Sequence, residues 1–420
     1  MSSAITLPSS LRQQHQTIPL LYMLFLVSGL ASILVNGFAS GGLFSHRHWP
    51  QHLQPGYRLP IVGKRSACPH PGGVYKNPDG SYHFSWLHVD ASTGYIRDDR
   101  NCIVDLRGFN SAGTEFGDGV SGFPGLNPAR LTWFNNMFSM NYIRLNLNVD
   151  WWNYNVYVPN AHMYYQAWIQ QWITWAKQNG DYVLLNRTNQ YTLPPCGGSI
   201  TYCPAQSEQS ADIPDAYPQQ QFNAGHLLDQ TVPFWKSLAS LYQNDPAILY
   251  NSWNELHDIN ATSWRQVQTT LITTIRSVNP RSLIMLGSND YNNSMNPVSN
   301  GEVPDLNYPN LVYDWHIYAG FSGLWDGFRC VQGTSYIWGQ WGAVSNKQFS
   351  FAHSHGHGAI INEWGGCADS PKYNDALSSY AASNHIGMAY YQAANVVDGG
   401  WTHLIQNGLL VQTAYAKFSY

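Results

Sequence analysis

Residues 247–256 read AILYNSWNEL, and residues 359–364 read AIINEW. In each, a short apolar run leads to an Asn-Glu pair with a Trp within two residues. Each reads as a β-strand that hands over to a loop at its glutamate. Six other runs have the same character: CIVDLRGFN (102–110), YIRLNLNV (142–149), DYVLLN (181–186), SLIMLGSND (282–290), LVYDWHIY (311–318) and GMAYYQAANV (387–396). Helical patterns lie between them. Tyr164 to Asn179 places Trp168, Ile169, Trp172 and Trp175 at helical spacing and stops at Gly180, a residue suited to the C′ position. Thr262 to Val278 puts Trp264, Val267, Leu271 and Ile275 on one face and stops at Asn279-Pro280. Eight strands alternating with helices predict an α/β fold, a (β/α)₈ TIM barrel. No G-x-G-x-x-G follows an early strand, which disfavours a doubly wound sheet.

Outward from the barrel, VYKNPDGSYHFSWLHVD (74–90) reads as an N-terminal β-hairpin preamble turning at Asp79-Gly80. Some 45 residues between Asn186 and Thr231, rich in Pro, Gln, Ser and Tyr, form a long insertion after strand three, on the face where such barrels build their sites. Ile18 to Val35 is an uncharged apolar run close to the length that spans a bilayer. The expected organisation is therefore a signal-anchor or signal peptide over 1–40, a flexible linker over 41–66 and a catalytic domain over 67–420. The protein is expected outside the cell, held to the membrane by that segment or secreted, and monomeric. Six cysteines agree with export. Cys196 with Cys203, Cys68 with Cys102 and Cys330 with Cys367 are the plausible pairs. Asn186, Asn260 and Asn292 open N-x-[ST] sequons.

Only 11% of residues are charged and the net charge is −4, without a basic stripe, which argues against nucleic acid as the main partner. Trp and Tyr number 17 and 27, a composition suited to a neutral, hydroxyl-rich ligand whose rings stack on aromatics. Trp151 and Trp152, just after strand two, are candidate stacking platforms. His353, His355 and His357 in HSHGHG fall in the turn entering strand seven, away from the catalytic face, and are not read as a metal site. Zincin, serine-hydrolase and P-loop signatures do not occur.

Glutamate is scarce: Glu115, Glu208, Glu255, Glu302 and Glu363 are the whole set. Glu255 and Glu363 stand at matched strand ends, 363 − 255 = 108 residues apart, close to three βα units. That spacing assigns them to strands four and seven, across the mouth of the barrel from each other. Two converging carboxylates in an aromatic, charge-poor cleft suit retaining glycoside hydrolysis, one as acid and then base, the other as nucleophile.

The motifs GYIRDDRNCIVDLRGFN, NYIRLN, PAILYNSWNELHD, LVYDWHIYAG and AIINEWGG, in that order, resemble glycoside hydrolase family 5, the cellulase-type clan of retaining (β/α)₈ enzymes, from about Ser92 to Tyr420. The resemblance implies that Glu255 is the acid/base and Glu363 the nucleophile, with neither metal nor cofactor. It further implies that Asn254 hydrogen-bonds the sugar 2-hydroxyl and that Arg144 holds the nucleophile's negative charge. His316 and Tyr318 match the strand-six pair that positions substrate. Two segments depart from the family pattern. Strand three reads LLNRTN where the family has a histidine, with Thr188 near that position and Asn186 and Arg187 beside it. Strand eight reads AYYQAAN where the family has a tryptophan, leaving Tyr391 or the later Trp401 to floor the subsite. The expected substrate is a β-linked polysaccharide, β-1,4-glucan or β-mannan. A non-catalytic carbohydrate-binding barrel and a transglycosylase are the alternatives.

Overall fold

Each of the eight apolar runs contains a strand that pairs in parallel with its neighbours, and the eight close into a barrel. The strands are β1 (Arg107–Asn110), β2 (Tyr142–Asn148), β3 (Tyr182–Thr188), β4 (Ile248–Asn251), β5 (Ile284–Leu286), β6 (Leu311–Tyr318), β7 (Gly358–Gly365) and β8 (Gly387–Tyr390). The computed structural model describes residues 68, 72–111, 128–158, 161–188, 218–225, 227–289, 291–292, 301, 305–318, 349–365, 371–391 and 409–418. The apolar segment at 18–35, the linker, Cys196, Cys203, Cys330, Cys367 and Trp401 lie outside the described residues. Among the described residues, no helix is long and apolar enough to cross a membrane.

Strand alternation sorts the barrel interior into layers. Near the N-terminal end, Tyr142, Leu184, Leu249, Val312 and Ile360 point inward and join one buried apolar cluster with Leu106, Met285 and Ala389. Two residues further along the same five strands stand Arg144, Asn186, Asn251, Asp314 and Asn362, all buried. The apolar layer thus seals the barrel below, and the polar layer begins the site above it.

The preamble closes the N-terminal end. Val74–Lys76 pairs antiparallel with Tyr82–Phe84 around the Asp79-Gly80 turn, where Gly80 takes φ +90°. Phe84 and Leu87 enter the apolar cluster, and Tyr182 Oη donates to the carbonyls of Gly73 (2.9 Å) and Ser85 (2.8 Å). Cys68 and Cys102 form a disulfide, one of the expected pairs.

On the outside, α1 (Pro128–Phe138), α2 (Val149–Tyr154), α3 (Tyr165–Asn179), α4 (Pro218–Ala224), α5 (Thr231–Leu241), α6 (Ala261–Arg276), α7 (Pro371–Ser383) and α8 (Leu409–Tyr415) follow in chain order. α3 buries Trp168, Ile169 and Trp172 and ends at Gly180, φ +87°, as its spacing predicts. A Cβ at Gly180 would lie 2.8 Å from the Tyr82 ring, so this position needs glycine twice over. α6 starts one residue before the expected Thr262 because Asn260 caps it, its Oδ1 accepting from Ser263 N at 2.9 Å. Asn186 and Asn292 are fully buried and bonded inside the barrel, so neither side chain is accessible to modification.

Candidate active site

The site is assembled by a break in strand register. Trp315 of β6 pairs with Ile361 of β7, but the next residue, His316, pairs with Glu363. Asn362 is the extra residue of a bulge, which interrupts the alternation so that Asn362 and Glu363 both reach the interior. Asn362 accepts from Tyr142 Oη at 3.0 Å, while Glu363 meets Arg144. Regular pairing would have turned one of them into the helical layer.

Arg144, fully buried on β2, organises the polar layer. Its Nη1 donates to Glu363 Oε1 at 2.5 Å and to Asn110 Oδ1 at 2.6 Å; its Nη2 donates to Asn254 Oδ1 at 2.7 Å. Asn186 Nδ2 donates to the same Asn254 oxygen at 3.2 Å and to Asn146 Oδ1 at 2.7 Å. The Asn254 amide oxygen is thus held from two sides. Burial opposes the charge on Arg144, but Glu363 and Asp314 outweigh it and raise its pKa above the usual value.

Glu255 follows β4 in the loop that also carries Asn254, and its backbone takes φ +50°, a conformation rare for a side chain of this kind. Its Oε1 lies 2.7 Å from His316 Nδ1, and Glu363 Oε2 lies 3.5 Å from the same nitrogen. One carboxylate oxygen each of Glu255 and Glu363 and one ring nitrogen of His316 fall within 4.8 Å of one another. The donor types would suit a cation, but the Arg144 guanidinium already occupies Glu363. Burial disfavours charge on His316, yet Glu363, Asp314 and the hydrogen bond to Glu255 push its pKa up to about 10. The trio is therefore a hydrogen-bonded cluster centred on His316, with Glu363 buried and Glu255 partly open to the cleft.

The structure thus brings together Glu255, Glu363, Arg144, Asn254 and His316. Tyr391 follows β8 at the mouth, half-buried, its backbone N donating to Trp364 O at 2.8 Å. Tyr318 ends β6; its side chain and Trp401 lie outside what the structure describes. Trp151 and Trp152 are corrected. Asn148 caps α2 directly after β2, so the chain turns into a helix at once and both indoles pack inward. Trp151 is 6% exposed with its ring edge-on to Tyr165, and Trp152 is 2% exposed against Phe234 and Ser237. Neither offers a face to a sugar. Among the described residues, an exposed ring near Glu255 is Tyr291, stacked on His257 at 3.8 Å and 39% exposed, with His257 only two residues past Glu255. Arg187 is also buried, its guanidinium 3.5 Å above the Trp253 ring, and Asn186 is the strand-three residue that enters the polar network.

The sequence reading missed Asn110, Asn146, Asp314 and Asn362. For Asn146 the signal was a polar residue two positions from Arg144 in an otherwise apolar strand, YIRLN.

The sequence profile of Cellulase (glycosyl hydrolase family 5) matches residues 103–396. Endoglucanase N of Pectobacterium atrosepticum is 25% identical over 140 residues, an alignment covering 32% of this chain and 26% of that protein. The alignment with this curated relative therefore spans about a quarter of its length. The catalytic domain of the major endoglucanase from Xanthomonas campestris pv. campestris superposes with a TM-score of 0.56 at 18% identity, covering 78% of this chain and 99% of that one. A Thermobifida fusca endoglucanase catalytic domain, solved in complex with cellotetraose, gives a TM-score of 0.53 at 16% identity, covering 78% and 96%. At these identities the structural matches speak for the barrel fold.

Proposed function

The chain belongs to the cellulase family, glycosyl hydrolase family 5, and we propose that it is a retaining endo-β-glucanase that cuts β-1,4-linked glucan outside the cell by double displacement. The observation that carries this reading is the convergence of Glu255 and Glu363 on His316 within 4.8 Å, with Arg144 bonded to both Glu363 and Asn254. Carboxyl groups this close match the spacing of retaining enzymes, whereas inverting enzymes leave room for a water between them.

Arg144 engages Oε1 of Glu363, leaving Oε2 as the attacking oxygen. In the first step this oxygen bonds to the anomeric carbon, the glycosidic C–O bond breaks, and the leaving oxygen takes the proton of Glu255. In the second step Glu255 removes a proton from water, whose oxygen displaces Glu363 and frees the sugar with its configuration retained. Asn254, aimed by Arg144 and Asn186, donates to the 2-hydroxyl of the reacting sugar. That contact tightens as positive charge builds on the ring. Support for a glucan substrate comes from the endoglucanase relatives and from the cellotetraose held by the Thermobifida fusca neighbour. β-Mannan is the second substrate to test.

The test is release of reducing ends from β-glucans, mannans and xylans by the protein and its Glu255→Gln and Glu363→Gln variants. Release from a β-glucan that vanishes in both variants is the expected result. A folded protein that binds a polymer but releases nothing, or that only transfers sugar between chains, would overturn the hydrolase reading.

A further inference from the structure

Asp314 is a fully buried carboxylate with no direct part in the two displacement steps. It lies on β6, two residues before His316 and on the same face. Asn251 Nδ2 donates to its Oδ2 at 2.6 Å, Asn292 Nδ2 to the same oxygen at 3.3 Å, and the backbone N of Asn362 to Oδ1 at 3.3 Å. Three strands or their loops therefore supply neutral donors to it, which stabilises its ionised form without cancelling the charge. His316 Nε2 lies 3.7 Å from Asp314 Oδ2, while His316 Nδ1 faces Glu255 at 2.7 Å and Glu363 at 3.5 Å. The ring thus meets a carboxylate oxygen at both edges. Among the described residues, the cation facing it is Arg144, Nη2 of which is 3.4 Å from Nε2. A neutral imidazole carries one N–H and one lone pair, so it would turn a lone pair toward one of these carboxylates.

We propose that Asp314 is a positioning residue that keeps His316 an imidazolium, whose Nδ1–H fixes Oε1 of Glu255 as an acceptor and leaves the transferable proton on Oε2, toward the substrate. The proposal rests on Glu255 being the acid/base. His316 keeps both of its protons through the cycle. The proton leaving Glu255 Oε2 goes to the departing sugar oxygen, and the proton taken from water returns to that same carboxylate oxygen. Burial acts against charge on His316, and the surrounding carboxylates raise its pKa to about 10. Asp314 in turn is held below the usual carboxylate range, burial being outweighed by His316 and Arg144.

The test is an NMR titration of the full chain labelled at histidine nitrogens, with His316→Gln to assign the signal. The wild type is expected to show both His316 nitrogens protonated up to about pH 8. Asp314→Asn is expected to lower the midpoint by about 1–3 pH units, the effect of losing an opposite charge at this range. It is also expected to lower kcat/KM on polymer far more than on a dinitrophenyl cellobioside, whose leaving group needs little proton donation. Asp314→Glu, which keeps the charge, should restore part of both. A neutral His316 in the wild type near pH 7 overturns the proposal, and so does an unchanged midpoint in Asp314→Asn. Should Asp314→Asn fail to fold, the wild-type titration decides alone. An inactive wild type would refute the hydrolase reading, while the titration still reports on Asp314 and His316.

Discussion

Replacing Arg144 by Met would remove the centre of the polar layer while roughly keeping its volume. The guanidinium gives hydrogen bonds to Glu363, Asn110 and Asn254 at 2.5–2.7 Å, and it has no exposed surface. Glu363, with a side chain only 6% exposed, would lose its bonded cation. Breaking one partner of a buried ion pair costs about 3–5 kcal/mol. For a domain of about 350 residues, an unfolding entropy of ~2.1 cal/mol/K per residue sums to ~0.7 kcal/mol/K, so Tm should fall by about 4–7 °C. Catalysis should suffer more. Asn254 would keep only the weaker Asn186 contact, and a misplacement of ~1 Å in such a group costs ~10²-fold. The expected result is a kcat/KM on soluble β-glucan at least ~10²-fold below wild type, measured beside a calorimetric scan. A Tm within about 1 °C of wild type together with a rate within about threefold would refute this reasoning.

Asp181 at the entrance of β3 offers a pH test, because burial raises its pKa to about 8 despite hydrogen bonds from Asn135 and Asn179. An acid with a raised folded pKa makes the folded state bind the extra proton, so stability falls as pH climbs from about 4 to about 8. Asp181→Asn should therefore stabilise the protein by on the order of 4 kcal/mol at pH 7 and by little near pH 4, read from denaturant unfolding at both pH values. Gly287→Ala should destabilise by about 1–3 kcal/mol and lower activity, since the new Cβ would fall 1.7 Å from Asn292 Oδ1 and push that amide off Asp314; thermal scans and initial rates check it. Trp152→Ala should cost about 3–5 kcal/mol of stability yet leave KM for cello-oligosaccharides within about twofold, because the indole packs against Phe234 rather than facing the cleft. A large rise in KM without loss of stability would restore its role as a platform.

The barrel was legible because its strands are written as separated apolar runs and its two glutamates stand out in a chain with few of them. Strand count, helix stops such as Gly180 and the assignment of the two glutamates to strands four and seven all follow from local spacing. The bulge at Asn362 was not legible, since AIINEW read with strict alternation puts Asn362 and Glu363 on opposite faces. Only pairing against β6, with its shift between Trp315 and His316, reveals that both point inward. Asp314 was hidden for a related reason. An acidic residue in a strand reads as an exposed position until the barrel closes around it and supplies donors from three neighbours. The misplaced role of Trp151 and Trp152 has a different cause. An aromatic pair after a strand looks the same whether a loop or a helix follows, and here the Asn148 cap starts a helix at once.

The central claim is that Glu363 becomes covalently attached to the sugar while Glu255 moves the proton. The most direct measurement is intact and peptide mass spectrometry after incubation with 2,4-dinitrophenyl 2-deoxy-2-fluoro-β-cellobioside, which slows release of a glycosyl-enzyme more than its formation. The account predicts that the protein gains one fluorocellobiosyl group, located on the peptide carrying Glu363, and that Glu363→Gln gains none. A label on another residue, or no label from an enzyme whose hydrolysis inverts the anomeric centre, would contradict it.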